Sequence, residues 1–138
     1  MNYILDTCVV SDLRKKTPNK NLVKWIEAQN EWDLYLSVLT LGEIEQGIAS
    51  LKDKKQSEII LSWLNQSLVP RFEHRILTVD EKVAIAWGKI RGKAQKQGLT
   101  LPVIDSLIAA TALCLGATVI TENKTDFERC GCLLLSPW

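Results

Sequence analysis

The sequence predicts an α/β fold with a mostly parallel central sheet and helices on both of its faces. Short aliphatic or β-branched runs alternate along the chain with segments of helical periodicity, which is the order that builds parallel sheets. The length of 138 residues suits a single domain of about 100–150 residues. We find no internal repeat and no segment with the composition of a linker, so we expect one domain over residues 1–138.

Five segments are predicted as strands because they are short and rich in aliphatic or β-branched residues. They are residues 3–5 (YIL), 34–39 (LYLSVL), 75–79 (RILTV), 117–121 (ATVIT) and 132–136 (CLLLS). The second segment alternates poorly between apolar and polar residues, which is typical of a strand that is covered on both faces. Strands of a parallel sheet are covered in this way, so the pattern supports the predicted fold.

The segments between the strands are predicted as helices from their apolar spacing. They are residues 7–15, 22–30, 40–51, 56–68, 80–97 and 102–115. An apolar stripe marks the fourth helix and is formed by Ile59, Ile60, Trp63, Leu64 and Leu68. We expect this helix to end at Pro70, and Gly98 and Gly116 to follow the ends of the last two helices.

Composition excludes several classes of protein. Hydrophobic residues make up 46% of the chain and the net charge is +1, which argues against disorder and against an electrostatic coat for nucleic acid. No apolar run reaches the roughly 20 residues that a membrane span needs. The first residues lack the basic segment of a signal peptide. We therefore expect a soluble, cytoplasmic protein without a membrane association.

Cysteine and histidine usage narrows the chemistry further. We expect Cys8 and Cys114 to lie in the core, and all thiols to be reduced. Cys130 and Cys132 have no second cysteine or histidine pair that would complete a zinc site. The single histidine, His74, has no nucleophile motif beside it and is expected to be a surface or structural residue. Glycine-rich nucleotide-binding motifs are absent as well.

Four acidic residues fall where a parallel sheet places its site, beyond the carboxyl ends of the strands. Asp6 follows the first strand directly, Glu43 begins the helix after the second, Asp105 begins the helix that precedes the fourth, and Asp126 lies just beyond the fourth. Carboxylates that converge in this way repel one another, and a hard divalent cation such as Mg²⁺ or Mn²⁺ relieves the repulsion. The pattern therefore predicts a metal site that works on phosphate groups.

Each acid also has a capping interpretation. Asp6 suits an N-cap, and residues 40–43 match a capping box that runs from Thr40 to Glu43. Asp105 suits a first helical turn, and Asp126 is the third residue of a short turn that Asn123 caps. Asp105 weakens this set, because its helix is apolar on every face and so is predicted to be buried. A buried lone carboxylate is costly unless it is paired or bound to a metal.

Four sequence blocks, ILDTCVVSDL, SVLTLGEIEQGI, LPVIDSLIAATAL and TVITENKTDF, resemble the motifs of PIN-domain ribonucleases. Within that family the chain is similar to the VapC/FitB-like toxins of bacterial type II toxin–antitoxin pairs. The resemblance implies a three-layer α/β/α sandwich, Mg²⁺- or Mn²⁺-dependent endonucleolytic cleavage of RNA, a homodimer and a cognate antitoxin. By motif, it implies that Asp6, Glu43 and Asp105 are metal-site acids.

Two departures from the family pattern concern the same site. The family's first block usually reads DTN, and Cys8 stands here in place of the asparagine. At the fourth acidic position we favour Asp126 as the charged member, with Asn123 as a neutral ligand or a holder of water; the alternative places Asn123 itself there. Thr7 and Thr121 flank the acids and either bind a carboxylate or phosphate or serve as helix-start hydroxyls.

Two other kinds of protein remain possible from the sequence. One is a catalytically weak or inactive PIN-like protein that binds or regulates, which Cys8 keeps open. The other is a phospho-receiver-type domain that binds Mg²⁺, although such a domain needs an adjacent pair of acids where Asp6 stands alone. The basic clusters do not decide between them, because Arg14 to Lys16 and the series Lys89, Lys93 and Lys96 suit phosphate contacts or, with a net charge of +1, a solvated face.

Overall fold

The computed structural model describes the whole chain, residues 1–138. Its strands are β1 (Tyr3–Leu5), β2 (Leu34–Ser37), β3 (Ile76–Leu77), β4 (Thr118–Ile120) and β5 (Leu133–Leu135). They form one sheet in the order β3-β2-β1-β4-β5, and every pair is parallel. The predicted parallel sheet is confirmed. From β1 the chain adds β2 and β3 on one side of the sheet and then β4 and β5 on the other. Folds of this kind have a crevice at the point where the order of strands reverses, here between β1 and β4.

Helices connect the strands. They are α1 (Thr7–Leu13), α2 (Lys20–Ala28), α3 (Val38–Ser50), α4 (Lys54–Trp63), α5 (Val69–Arg71), α6 (Glu81–Lys96), α7 (Val103–Leu115) and α8 (Lys124–Glu128). A 3₁₀ turn at Glu31–Asp33 and a π-helical turn at Leu64–Leu68 complete the elements. The sequence predicted the long helices to within a few residues, but it gave only a turn where α8 forms. Gly116 takes the left-handed conformation that ends α7, with φ of 69°.

The core consists of two apolar clusters, one on each face of the sheet. Neighbouring residues of a strand point to opposite faces, so Ile4 joins one cluster and Leu5 the other. The same division holds in β4, where Val119 pairs with Ile4 and Ile120 pairs with Leu5. The predicted three-layer α/β/α sandwich is therefore confirmed, and β1 and β4 lie at its centre.

Pro70 does not end the helical segment that begins at Lys54, and this prediction is wrong. The backbone instead passes through the π-helical turn, in which the Val69 amide donates to the Leu64 carbonyl. Pro70 then lies in the first turn of α5. A first turn does not need the amide hydrogen that proline lacks.

Burial differs from the sequence prediction at several positions. Cys8 and Cys114 are only half-buried, whereas Cys130 and Cys132 are buried, because the short α8 covers the segment that leads into β5. Ile59 is 52% exposed, so it leaves the predicted apolar stripe of α4. His74 is exposed, as expected, and has a positive φ of 67°. No helix combines the length and apolar character that crossing a bilayer would require.

Candidate active site

Asp6 and Thr121 lie side by side at the carboxyl ends of the two central strands. Each follows its strand directly, and the Asp6 amide donates to the Ile120 carbonyl at 3.0 Å. The Thr121 hydroxyl then donates to Oδ2 of Asp6 at 2.8 Å. Asp6 is 6% exposed and Thr121 is fully buried. The parallel register of β1 and β4 thus fixes the orientation of one buried carboxylate.

Asp6 is also the N-cap of α1, which confirms its capping interpretation. Its Oδ1 accepts a hydrogen bond of 2.8 Å from the Thr7 amide. The cap uses only one of the two oxygens, and Oδ2 faces Thr121 and the thiol of Cys8, whose Sγ lies 3.5 Å away. A carboxylate has about four lone-pair sites, so capping leaves capacity for a further ligand.

Glu43 is positioned by Thr7, although 36 residues separate them in the chain. The Thr7 hydroxyl donates to Oε1 of Glu43 at 2.6 Å and lies 3.0 Å from the Thr40 hydroxyl. The predicted capping box is wrong, because α3 begins at Val38 and the Ser37 hydroxyl accepts from the Leu39 amide. Glu43 is therefore one turn inside the helix, and its carboxylate is free to reach Thr7.

Thr40 is a further member of the site, although its position in the sequence suggested only a capping role. It is fully buried, and its hydroxyl meets Thr7 beside Glu43. The available signal was its spacing, because residues three apart on a helix share a face. Thr40 and Glu43 are three apart, so both side chains of α3 meet the first turn of α1.

Asn123 joins the other two acids. Its side-chain amide donates to Oδ2 of Asp105 at 3.1 Å and to Oδ2 of Asp126 at 3.0 Å. Its backbone amide donates to the Thr121 hydroxyl at 2.9 Å. Asn123 precedes α8 but makes no side-chain cap hydrogen bond. The structure therefore brings the four predicted acids together. The three predicted supporting residues make the hydrogen bonds that link them, and these are Thr7, Thr121 and Asn123.

The negative charge of this cluster changes proton affinities. Burial, followed by the charges of Asp6, Asp126 and Glu43, raises the pKa of Asp105 to about 6. Burial and the charge of Asp6 raise the pKa of Cys8 to about 11, so it remains a neutral thiol. None of the four acids forms a salt bridge with lysine or arginine. The cluster therefore has excess negative charge that no side chain offsets.

Asp105 is less enclosed than the sequence suggested. It is half-buried, because α7 is not buried on every face: Val103, Leu113 and Leu115 are exposed. The cost of burying a lone carboxylate therefore applies only in part at this position, although burial is still the largest cause of the raised pKa of Asp105. A cation is expected because the charges of Asp6, Asp126 and Glu43 add to the effect of this burial.

The donor set suits a hard divalent cation that keeps much of its water. The candidate ligands are carboxylate oxygens, which Mg²⁺ and Mn²⁺ prefer. No three His, Cys, Asp or Glu side chains are close enough to form a ready-made cage. Mg²⁺ is commonly held by only one or two carboxylates and retains several waters, so the residues present fit this ion.

Comparisons with known proteins agree with this architecture. The family model described as PIN domain matches residues 3–131. The chain is 35% identical over 135 residues to the plasmid stability protein StbB of Pseudomonas syringae, covering 98% of this chain and 97% of the relative. It is equally similar, with the same identity and coverage, to toxin FitB of Neisseria gonorrhoeae. The VapC ribonuclease Y4jK of Sinorhizobium fredii is 32% identical, with coverage of 98% and 96%.

Solved structures share the whole fold. The crystal structure of FitAcB from Neisseria gonorrhoeae superposes with a TM-score of 0.91 and 34% identity, covering 99% of this chain and 98% of that one. The structure of VapBC2 from Rickettsia felis, bound to a DNA fragment from its promoter, gives a TM-score of 0.78 at 26% identity, with coverage of 100% and 99%. The similarity therefore extends beyond the site to every layer of the sandwich.

Proposed function

The chain belongs to the PIN domain family, and from this premise we propose that it is a metal-dependent endoribonuclease, the toxin of a toxin–antitoxin pair. Relatives that match nearly the whole chain include a toxin, FitB, and a ribonuclease, Y4jK. The observation that carries the assignment is the cluster of Asp6, Glu43, Asp105 and Asp126, whose charge no basic side chain offsets. In this proposal residues 1–138 form one PIN-like domain.

The four acids divide into two pairs. We assign Asp6 and Asp105 as direct ligands of Mg²⁺, with Mn²⁺ as a substitute, and Glu43 and Asp126 as ligands through water or a second ion. When bound, the cation supplies the charge that activates water for attack on a phosphodiester and offsets the charge that develops on phosphate. No protein nucleophile is needed, which is consistent with the lack of a triad around His74.

The supporting residues hold the carboxylates in place. Thr121 fixes Oδ2 of Asp6, and Thr7 fixes Oε1 of Glu43. Asn123 keeps Asp105 and Asp126 together, with both of its amide hydrogens directed at their Oδ2 atoms. These contacts preorganise the negative charge before a cation or a substrate arrives.

Cys8 does not favour the alternative of an inactive, purely binding protein. Its thiol is a weak hydrogen-bond donor and lies 3.5 Å from Oδ2 of Asp6. The same oxygen receives the stronger hydrogen bond of Thr121 at 2.8 Å, so the orientation of Asp6 does not depend on residue 8. A phospho-receiver is also disfavoured, because Thr7 rather than a second acid follows Asp6.

The proposed partners are an RNA substrate, a cognate antitoxin and a second copy of the chain. A cavity of about 280 Å³ begins at Thr7 and Glu43 and continues along Ile48, Ile60 and Trp63. An antitoxin segment in this cavity would cover Thr7 and Glu43 of the site and bury Ile60 and Trp63 of α4. We thus propose that the antitoxin inhibits the enzyme by covering part of its site directly. We also propose a homodimer, on the basis of the family.

Toxicity and its rescue test the proposed function as a whole. We expect induction of this chain alone in a bacterial host to stop growth, and co-expression of the neighbouring gene product to restore it. Purified protein should cut RNA with Mg²⁺ and lose this activity in EDTA. Folded protein that is harmless at high level and leaves RNA intact with Mg²⁺ and with Mn²⁺ would contradict the proposal.

Asp126 and Asn123 can be separated by mutation. We expect Asp126→Asn to weaken Mg²⁺ binding and to lower the cleavage rate, with an unchanged or raised melting temperature in EDTA because one repelling charge is gone. Asn123→Ala removes two solvent-exposed hydrogen bonds, to Asp105 and Asp126, and should cost at most about 1 kcal/mol in EDTA. Mg²⁺ should restore most of this loss. The measurements are melting temperature and rate against Mg²⁺ concentration. If Asn123→Ala is inactive and Asp126→Asn behaves as wild type, the fourth position belongs to Asn123.

A further inference from the structure

A basic groove lies between α6 and the end of α8, next to the acidic cluster but separate from it. It has a volume of about 540 Å³, and its charged lining residues are Lys89, Lys93, Arg129 and Glu128. The two lysines lie one helical turn apart on α6, and Arg129 comes from the turn after α8. Two segments that are distant in the chain therefore direct three cations and one acid at one groove.

The three cations are free to bind an anion from solution. All three residues are exposed, and none forms a salt bridge within the protein. Lys15, in contrast, belongs to the other basic cluster of the sequence and is paired with Asp12 at 3.2 Å. The basic character of this groove is therefore not neutralised by the fold, although the net charge of the chain is only +1.

Cys130 connects the groove to the catalytic carboxylates. It lines the groove, and its Sγ donates to the Asp126 carbonyl at 3.3 Å. Asp126 lies in the first turn of α8 and Arg129 is the C-cap of the same helix, so one short element carries both a proposed metal ligand and a cation of the groove. A polyanion in the groove therefore lies against the end of the helix that carries Asp126.

We propose that this groove binds the backbone phosphates of the RNA strand beside the scissile phosphodiester, with Lys89, Lys93 and Arg129 as the contacts. The inference depends on the proposed nuclease function and adds the path of the substrate to it. An acidic cluster repels RNA, so a substrate needs cations nearby that hold its phosphates while the metal engages one of them. Lys96, the third member of the predicted lysine series, does not line the groove. The proposed phosphate contacts are therefore defined by the groove and not by the spacing of lysines along one helix.

The test compares a triple variant, Lys89→Ala, Lys93→Ala and Arg129→Ala, with a control that removes three exposed cations outside the groove, Lys20→Ala, Lys24→Ala and Lys82→Ala. The affinity for a labelled single-stranded oligoribonucleotide is measured in EDTA, where cleavage is absent, at 50 and 200 mM salt. Each lost phosphate contact lowers the salt slope by about 0.7, so the deficit of the groove variant should shrink by about 20-fold between these salts. The control should follow wild type. With Mg²⁺, the groove variant should show a raised KM and a nearly unchanged kcat.

A charge-preserving variant, Lys89→Arg, Lys93→Arg and Arg129→Lys, distinguishes a charge effect from damage to the fold. We expect it to keep wild-type affinity and slope, and all variants to keep the wild-type melting temperature. Equal losses in the groove and control variants would overturn the proposal, as would a groove variant that binds RNA normally but has lost affinity for the antitoxin. If wild type neither binds nor cuts RNA, the nuclease function fails together with the groove. If wild type cuts RNA and the groove variant binds it normally, only the groove fails.

Discussion

Asp6→Asn is expected to abolish Mg²⁺ binding and to lower RNA cleavage by about 10³-fold, because a metal ion contributes several kcal/mol to such a reaction. The free energy of unfolding of the metal-free protein should stay within about 1 kcal/mol of wild type. Asparagine is an equally good N-cap, so the hydrogen bond from the Thr7 amide is kept. Loss of this negative charge also removes the Asp6 contribution that, after burial, raises the pKa of Asp105.

Asp12→Asn is the matched control, since Asp12 belongs to the same helix and is 9% exposed, against 6% for Asp6. Asp12 accepts hydrogen bonds from the Asn19 amide and Lys15 and lies outside the acidic cluster. The control should keep Mg²⁺ binding, measured by titration calorimetry, and the rise in melting temperature that a bound ion causes. Equal Mg²⁺ affinity in wild type and Asp6→Asn would remove Asp6 from the metal site.

Arg75→Met is expected to show the reverse behaviour, a large loss of stability without a change in chemistry. The guanidinium of Arg75 is buried and donates to the carbonyls of Glu31 at 2.6 Å and Leu34 at 2.7 Å. It also pairs with Oε2 of Glu31 at 2.8 Å and lies between the rings of Trp32 and Phe72. Removal takes these charge-assisted hydrogen bonds out of a buried setting and leaves Glu31 without its buried partner, so we expect a loss of about 3–5 kcal/mol.

Urea denaturation measures this loss, and Arg71→Met is its control. Arg71 also binds Glu31, but both side chains of that pair are 40% or more exposed, so its loss should cost less than about 1 kcal/mol. Arg75 lies at the amino-terminal end of β3, whereas the carboxylates lie beyond the carboxyl ends of the parallel strands. The kcat of folded Arg75→Met should therefore equal that of wild type. A stability loss no larger than that of Arg71→Met would show that the buried guanidinium is replaceable.

The fold and the chemistry of the site could be predicted from local sequence. Aliphatic runs such as YIL and TVI determine strands, and helical periodicity between them determines parallel connections. Because parallel strands all end at one edge, the position of Asp6 and Asp126 just beyond two strands was sufficient to expect them together. The errors occurred where local rules compete, as at Pro70 and at the start of α3, which Ser37 caps before Thr40 can.

Only the tertiary structure decided which side chains meet. Thr7 selects Glu43 from 36 residues away, Asn123 joins Asp105 to Asp126, and Arg129 completes a groove with two lysines of α6. Periodicity states which face of an element is covered, but it does not state which element covers it or at what distance. Partners of this kind depend on strand order and helix placement, and both are set by the burial of the two apolar clusters. Because hydrophobic burial is non-directional, these contacts cannot be predicted from any one segment of the sequence.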